Sequence, residues 1–131
     1  MTTPGAEETE RNRAAAEAMY GAAKAGDLQT FFSFMAPDVV VEEPGFLRYG
    51  GTYDGIDGLQ TLFATLASEF DLAGLDFERI VADGDCVCAI GTAPLAGGGA
   101  VSFIERVRMR EGKVVSLRIY VHDASSMLTV A

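Results

Sequence analysis

The sequence predicts an α+β fold in which three N-terminal helices pack on one face of a curved antiparallel β-sheet. Two observations lead to this prediction. Apolar residues recur at helical spacing near the start and in the middle of the chain, whereas β-rich segments separated by glycine turns fill the remainder. Helices that come first and an antiparallel meander that comes last are typical of this fold class. The 131 residues, of which 49% are hydrophobic, suffice for a single domain, residues 1–131, with a sizeable core.

Helix one is predicted to begin at Thr3 and Pro4, which suit the N-cap and the first helical position. Residues 1–6 are also expected to behave as a flexible tail. Gly26 ends the helix, since glycine readily adopts the left-handed conformation found after a helix. The expected buried stripe follows the helical period and consists of Ala15, Ala18, Met19, Ala22 and Ala23.

Two further helices follow from capping residues and periodicity. Asp27 is a good N-cap for a short second helix, which Pro37 closes after Ala36. A third helix is predicted over residues 56–70, where large apolar side chains share one face.

The strands are predicted from β-branched runs and turn residues. A first short strand covers residues 39–43 and ends at Pro44, and a glycine- and tyrosine-rich loop follows over residues 46–54. Four further strands are joined by hairpin turns and cover residues 72–82, 86–95, 100–110 and 113–122.

Charge and cysteine usage exclude several classes of function. Ten Lys and Arg against nineteen Asp and Glu give a net charge of -9, which disfavours nucleic acid as a partner. No apolar run approaches the ~18 residues of a membrane span, and the first residues lack the pattern of a signal peptide, so we expect no membrane partner and a cytoplasmic protein. Cys86 and Cys88 are expected to be reduced, and with one histidine far away we expect no metal site.

Strand parity directs two carboxyl groups toward the apolar side of the sheet. Glu43 shares a face with Val39 and Val41, and Glu105 shares a face with Val101, Phe103, Val107 and Met109. A pair of acids in an apolar cavity can hold one base and one neutral hydrogen-bond donor at neutral pH. The alternative is that the strands twist or bulge, so that one or both acids face water.

The order and separation of several short segments carry a resemblance to a known family. The segments are 19–28, 41–44, 49–53, 104–105, 112–118 and 120–123, with Glu43 before Pro44 and an Ala-Gly-Asp helix end among them. Together they resemble the ketosteroid isomerase branch of the nuclear transport factor two-like (NTF2-like) superfamily and the SnoaL-type polyketide cyclase-like proteins. The similarity spans nearly the whole chain.

The resemblance implies a cone-shaped barrel with a deep apolar pocket between the helices and a strongly bent sheet. In the isomerases an acid just before a proline is the general base, and Glu43 stands there. A second, protonated acid donates to the enolate oxygen, and Glu105 stands there. The oxyanion-binding tyrosine of helix one is matched by Met19, which has no proton to donate, whereas Tyr20 lies ~100° further round the helix.

The residues expected to line the pocket are Met19, Tyr20, Val41, Tyr49, Tyr53, Phe63, Phe103 and Val107. His122 and Asp123 are alternates, because in the SnoaL-type proteins an acid and a histidine near the pocket serve in an aldol step. Parity places His122 on the outer face or at its end. The outer face is expected to form a homodimer through Ile104, Val114 and Tyr120, which stand among polar neighbours.

These expectations combine into one functional hypothesis with two rivals. The protein is expected to bind a compact apolar carbonyl compound, with no cofactor, and to carry out proton transfer of the isomerase or cyclase type. One rival is a binding or accessory module of the same fold without catalysis. The other, an epoxide hydrolase relative, needs an Asp-Arg-Asp set that the pocket-facing residues do not supply.

Overall fold

Helices, strands and their pairing are defined for residues 4–128 of a computed structural model. The helices are α1 (Pro4–Ala25), α2 (Leu28–Ser33) and α3 (Gly55–Glu69), with a short 3-10 turn at Leu72–Gly74. The strands are β1 (Met35–Glu43), β2 (Gly51–Asp54), β3 (Asp76–Asp83), β4 (Cys86–Pro94), β5 (Ala100–Arg110) and β6 (Lys113–Val121). Thr3, the predicted N-cap of helix one, lies outside the described residues, and α1 already begins at Pro4, inside the segment expected to be a tail.

Helix α1 is anchored to the turn between β3 and β4 by polar contacts. The Asn12 side chain, which is buried, donates to the Gly84 carbonyl at 2.8 Å, and the Gly84 amide donates to Thr9 Oγ1 at 2.7 Å. The buried stripe of α1 is therefore rotated relative to the prediction. Ala18, expected on that stripe, is exposed, and Ala16 and Tyr20 are buried with Met19.

The turn from α1 into α2 has the predicted chemistry. Gly26 adopts a φ of 74°, and Asp27 caps α2 by accepting from the Thr30 amide at 3.2 Å and the Thr30 hydroxyl at 2.7 Å. The helix nevertheless ends at Ser33, earlier than expected, because β1 starts at Met35. Pro37 falls where the pairing of β1 with β6 is interrupted, so its missing amide proton removes no regular ladder bond.

The six strands form one sheet in the order β2-β1-β6-β5-β4-β3. Strands β3 to β6 are an antiparallel meander as predicted, and α3 packs against β1. The sheet is mixed, because β6 returns beside β1 in the parallel direction. Strand β2, which pairs with β1, was expected to be part of a loop; it has only four residues, and one of them is glycine.

The inner face of the sheet and the helices enclose the core. Val101, Val107 and Met109 of β5 are buried as their parity predicts. The register of β6 against β5 shifts between Arg108 and Met109, where Val115 is the extra residue of a bulge. Val114 is consequently fully buried, which corrects its assignment to the outer face.

Candidate functional site

A cavity of about 120 Å³ lies between the helices and the inner face of the sheet. Its wall is mostly apolar, with side chains from α1, α2, α3, the strands and the C-terminal segment. The aromatic members are Tyr20, Phe31, Tyr49, Phe63, Phe70, Phe77 and Phe103. Both carboxyl groups selected from strand parity, Glu43 and Glu105, are on this wall. The cavity therefore combines an apolar surface with a small number of acidic groups.

Glu43 is the last residue of β1, and its inward direction follows from the alternation along that strand. Only 8% of the residue is exposed. Burial, followed by the nearby charge of Glu105, raises the pKa of Glu43 from 4.5 to about 8. Within residues 4–128 no group donates a hydrogen bond that would offset this shift. A carboxyl with such a pKa can gain or lose a proton near neutral pH.

Glu105 is joined to Tyr20 across the core. The Tyr20 hydroxyl donates a hydrogen bond to Glu105 Oε1 at 2.7 Å. Burial raises the pKa of Glu105, and the hydrogen bond from Tyr20 opposes that rise. Burial and the charge of Glu105 hold the pKa of Tyr20 well above its usual value. In its neutral form the Glu105 carboxyl carries a proton that it can donate into the cavity.

Tyr49 brings a further hydroxyl to the wall from the loop between β1 and β2. Its pKa is raised by burial and, next, by the charge of Glu43. The Tyr53 hydroxyl donates to the Tyr49 carbonyl at 2.7 Å, which holds this part of the loop against β2. Tyr53 itself is half-buried and is not a wall residue, which corrects its assignment to the pocket.

Two other residues expected at the wall lie in the core. Met19 is fully buried on α1, because the rotated helix presents Tyr20 to the cavity in its place. Val107 is fully buried further along β5, on the same face as Glu105. Tyr20, Val41, Tyr49, Phe63 and Phe103 do line the cavity.

The two alternates do not line the cavity. His122 follows β6, is exposed, and borders a groove on the outer face of the sheet. Asp123 is exposed as well, and its carboxylate accepts from the Ser125 amide at 3.0 Å. The bulge at Val115 comes early in β6, and Leu117, Ile119 and Val121 keep the inward direction expected of them, so His122 stays outside.

Several wall residues escaped the sequence prediction. Phe77 of β3 packs against Tyr20 with ring centroids 4.7 Å apart, and Met127 reaches the wall from the segment after β6. The alternation of β3 is disturbed by a bulge between Phe77 and Arg79, which hid the inward direction of Phe77. No local pattern marks Met127, since it lies outside the regular elements.

Three negative observations apply to residues 4–128. None of the described helices is both long enough and apolar enough to cross a membrane. Over the same residues, no group of three or more His, Cys, Asp and Glu side chains could hold a metal ion. Cys86 and Cys88 are free thiols, as the sequence predicts.

Comparison with protein families identifies the chain. Residues 16–117 match the SnoaL-like domain. The chain belongs to this SnoaL-like family. In this SnoaL-like protein the matched span includes Tyr20, Glu43 and Glu105, and the family agrees with the resemblance found in the sequence. A search of curated proteins found no match.

Solved structures, NTF2-like proteins among them, share the fold of this SnoaL-like protein. Bal32a, from a soil-derived mobile gene cassette, is similar with a TM-score of 0.80 and 20% identity, covering 90% of this chain and 94% of that one. An NTF2-like protein of unknown function from Burkholderia pseudomallei has a TM-score of 0.77 and 20% identity, with coverages of 92% and 98%. TerC, co-crystallized with polyporic acid, has a TM-score of 0.75 and 25% identity, with coverages of 88% and 94%. The predicted α+β fold is thereby confirmed.

Proposed function

We propose that this protein binds a compact apolar carbonyl compound in the cavity and catalyses proton transfer at the carbon next to the carbonyl. The observation that carries the proposal is the placement of Glu43 and the Tyr20–Glu105 pair on one apolar wall. Titratable side chains in an apolar site with little water are the usual components of general acid and base catalysis. The co-crystal of TerC with polyporic acid supports ligand binding by this fold.

In the proposed reaction Glu43 takes a proton from the ligand and later returns it. The ionised Glu43 carboxylate removes a proton from the carbon, and the electron pair of the broken C–H bond forms an enolate. In the reactive form the two acids hold one proton between them, on Glu105, whose carboxyl donates a hydrogen bond to the enolate oxygen where the negative charge develops. Tyr20 holds Glu105 in place through the 2.7 Å hydrogen bond. Glu43 then returns its proton to the same or a neighbouring carbon, which regenerates the site.

The test is hydrogen exchange into cyclohexanone in heavy water, followed by NMR. The wild-type protein is expected to accelerate exchange next to the carbonyl, and the rate should rise with pH up to about 8 as Glu43 ionises. Glu43→Gln removes the base with little change of shape and should lower the rate by about 10²–10⁴. Affinity should stay within roughly tenfold of the wild type, a window of about 1.4 kcal/mol.

Glu42→Gln is the matched control. Glu42 is the neighbouring residue of β1, and its carboxylate lies 3.4 Å from Arg118. Its substitution should leave exchange unchanged. Undiminished exchange in Glu43→Gln would remove Glu43 from the mechanism. Wild-type protein that binds the ketone without exchanging its protons would favour the binding module.

The outer face of the sheet supports a proposed homodimer. Ile104 and Tyr120 are 40% and 48% exposed, and Arg118 lies over the Tyr120 ring at 5.5 Å. Exposed apolar side chains grouped on a sheet face are typical of interaction surfaces. Sedimentation at micromolar concentration should find a dimer that Ile104→Asp dissociates. Leu28→Asp, at an exposed position of α2, should leave it intact, and a wild-type monomer would refute the proposal.

The free thiols of Cys86 and Cys88 also support our proposal of a cytoplasmic location, since reduced cysteines are the rule in that compartment.

A further inference from the structure

The volume of the cavity limits the size of its ligand. At about 120 Å³ the cavity is slightly smaller than an engineered apolar cavity of ~150 Å³ that accepts one benzene molecule. A second fused ring adds four carbon atoms to a single-ring ketone, and this space does not hold them. The space present therefore matches one six-membered ring.

The part of the wall formed by β3, β4 and β5 cannot easily move outward to admit a larger ligand. Phe77 is packed against Tyr20, and its ring centroid lies 6.1 Å from that of Phe103. A Cβ built on Gly91 would stand 3.0 Å from the Phe77 ring, 3.2 Å from the Phe103 ring and 2.8 Å from the Asp76 carbonyl. Both rings thus rest directly on the backbone of β4. Moving them outward would require the sheet itself to shift.

The opposite side is also filled by aromatic rings. Phe31 of α2 and Phe63 of α3 pack with centroids 5.0 Å apart, and Phe32 packs behind them at 5.2 Å from Phe31. Well-packed interiors resist enlargement because displaced side chains leave their preferred rotamers. Packed aromatic rings therefore bound the cavity on two sides.

Met127 is the adaptable part of the wall. It belongs to the turn after β6, in which the Met127 amide donates to the Ala124 carbonyl at 2.8 Å. Methionine has three rotatable side-chain bonds and adjusts more readily than a ring. Shortening this side chain is the simplest way to enlarge the cavity without disturbing the sheet.

The charges on the wall limit the ligand further. Among the described residues, the wall carries two carboxyl groups and no Lys, Arg or His. A ligand carboxylate or phosphate would lose its hydration without gaining a basic partner. The wall thus disfavours an anionic ligand.

We infer that the cavity selects a neutral compound with one six-membered ring and one carbonyl oxygen, and excludes fused-ring ketones and ring carboxylates. The inference rests on the proposed function only for the contact of the oxygen with Glu105; the size and charge limits are independent of catalysis.

The experiment measures binding of four probes by calorimetry: cyclohexanone, the two-ring ketone decalone, a four-ring steroid ketone and benzoate. Cyclohexanone should bind at least tenfold more tightly than decalone, and the steroid ketone and benzoate should show no binding. Met127→Ala should reduce the preference for one ring over two by at least threefold. Leu128→Ala, at the exposed neighbouring position, should leave the preference unchanged.

The outcomes separate the two proposals. Cyclohexanone that binds but does not exchange its protons contradicts the proposed catalysis and leaves the size limit standing. Decalone or the steroid ketone binding as tightly as cyclohexanone to the wild type overturns the size limit, even if exchange occurs. Failure of cyclohexanone to bind, or equal binding of benzoate, also overturns the inference. Since the four probes are compared on the wild-type protein, the test of the size and charge limits does not depend on the folding of a variant.

Discussion

At the scale of single residues, the site depends on how two similar acids differ in their partners. Burial and the negative charge of Glu105 raise the pKa of Glu43 to about 8. Burial also raises the pKa of Glu105, but Glu105 accepts a hydrogen bond from Tyr20, which favours its charged form. Two carboxyl groups of one cavity thereby acquire different surroundings, which is the condition for dividing the roles of base and donor. Ketosteroid isomerases divide the same two roles between two acids, and the assignment proposed for Glu43 and Glu105 follows theirs.

Tyr20→Phe tests the hydrogen bond to Glu105. The phenyl ring can keep its packing against Phe77, so the cavity should persist. Without the hydroxyl, the pKa of Glu105 should rise further, because the hydrogen bond from Tyr20 lowers it. We expect exchange into cyclohexanone to slow by about 10². Any loss of rate that comes from ionisation of Glu105 should therefore occur at higher pH in the variant than in the wild type.

The matched control is Tyr120→Phe on the exposed outer face, which should leave both the rate and its pH profile unchanged. A slower Tyr20→Phe variant with an unshifted alkaline limb would indicate a packing role for Tyr20.

The sequence predicted both acids and Tyr20 as residues of the pocket, but not the hydrogen bond that joins Tyr20 to Glu105. Parity along a strand repeats every two residues, so the inward direction of Glu43 and Glu105 could be read directly. Helix α1 is rich in alanine, and several stripes along it are similarly apolar. The choice among them depends on the long-range contact of Asn12 with Gly84, which no local pattern contains. Both Met19 and Tyr20 were expected at the wall, although they lie ~100° apart on the helix, and only Tyr20 lines the cavity.

At the scale of elements, long periodic segments were predictable and short paired ones were not. Helix α3 and strands β4 to β6 agree with prediction to within about one residue at each end. Strand β2 exists because β1 offers it a partner, and its own four residues carry little β-propensity. The parallel pairing of β1 with β6 joins distant parts of the chain, which propensity cannot reveal.

The loop between β1 and β2 positions Tyr49, and its tight closure requires glycine at residue 50. A Cβ at Gly50 would stand 2.2 Å from the Pro44 carbonyl oxygen, which is backbone and cannot rotate away. Gly50→Ala should therefore destabilise the protein by about 1–3 kcal/mol and weaken binding of cyclohexanone as Tyr49 is displaced. Urea unfolding and calorimetry measure the two effects.

Gly45→Ala in the same loop is the control, because no atom lies within 4 Å of its added Cβ. It should have little effect on either quantity. Equal behaviour of the two variants would contradict the tight closure of the loop.

At the scale of the whole molecule, the buried acids link stability to pH. Below pH 4.5, Glu43 is protonated in both the folded and the unfolded protein, so its ionisation does not affect stability. Between pH 4.5 and about 8 the unfolded chain has released the proton of Glu43 while the folded protein retains it. The folded state then binds more protons, and the free energy of unfolding must fall as pH rises. Glu105, whose pKa is also raised, acts in the same direction.

The last prediction is that Glu43→Gln removes part of this pH dependence. One group that is protonated in the folded protein and ionised in the unfolded chain changes the free energy of unfolding by about 1.4 kcal/mol per pH unit. Urea unfolding across the window from 4.5 to 8 should therefore give a shallower decline for Glu43→Gln than for the wild type, by up to that amount per unit. The variant should match the wild type at the acidic end, where Glu43 is neutral, and exceed it at the alkaline end. Glu42→Gln, whose carboxyl lies beside Arg118, should retain the wild-type slope. Parallel curves for the wild type and Glu43→Gln would mean that the fold does not hold Glu43 neutral in this pH range. The predicted rise of the exchange rate up to about pH 8 would then have no basis.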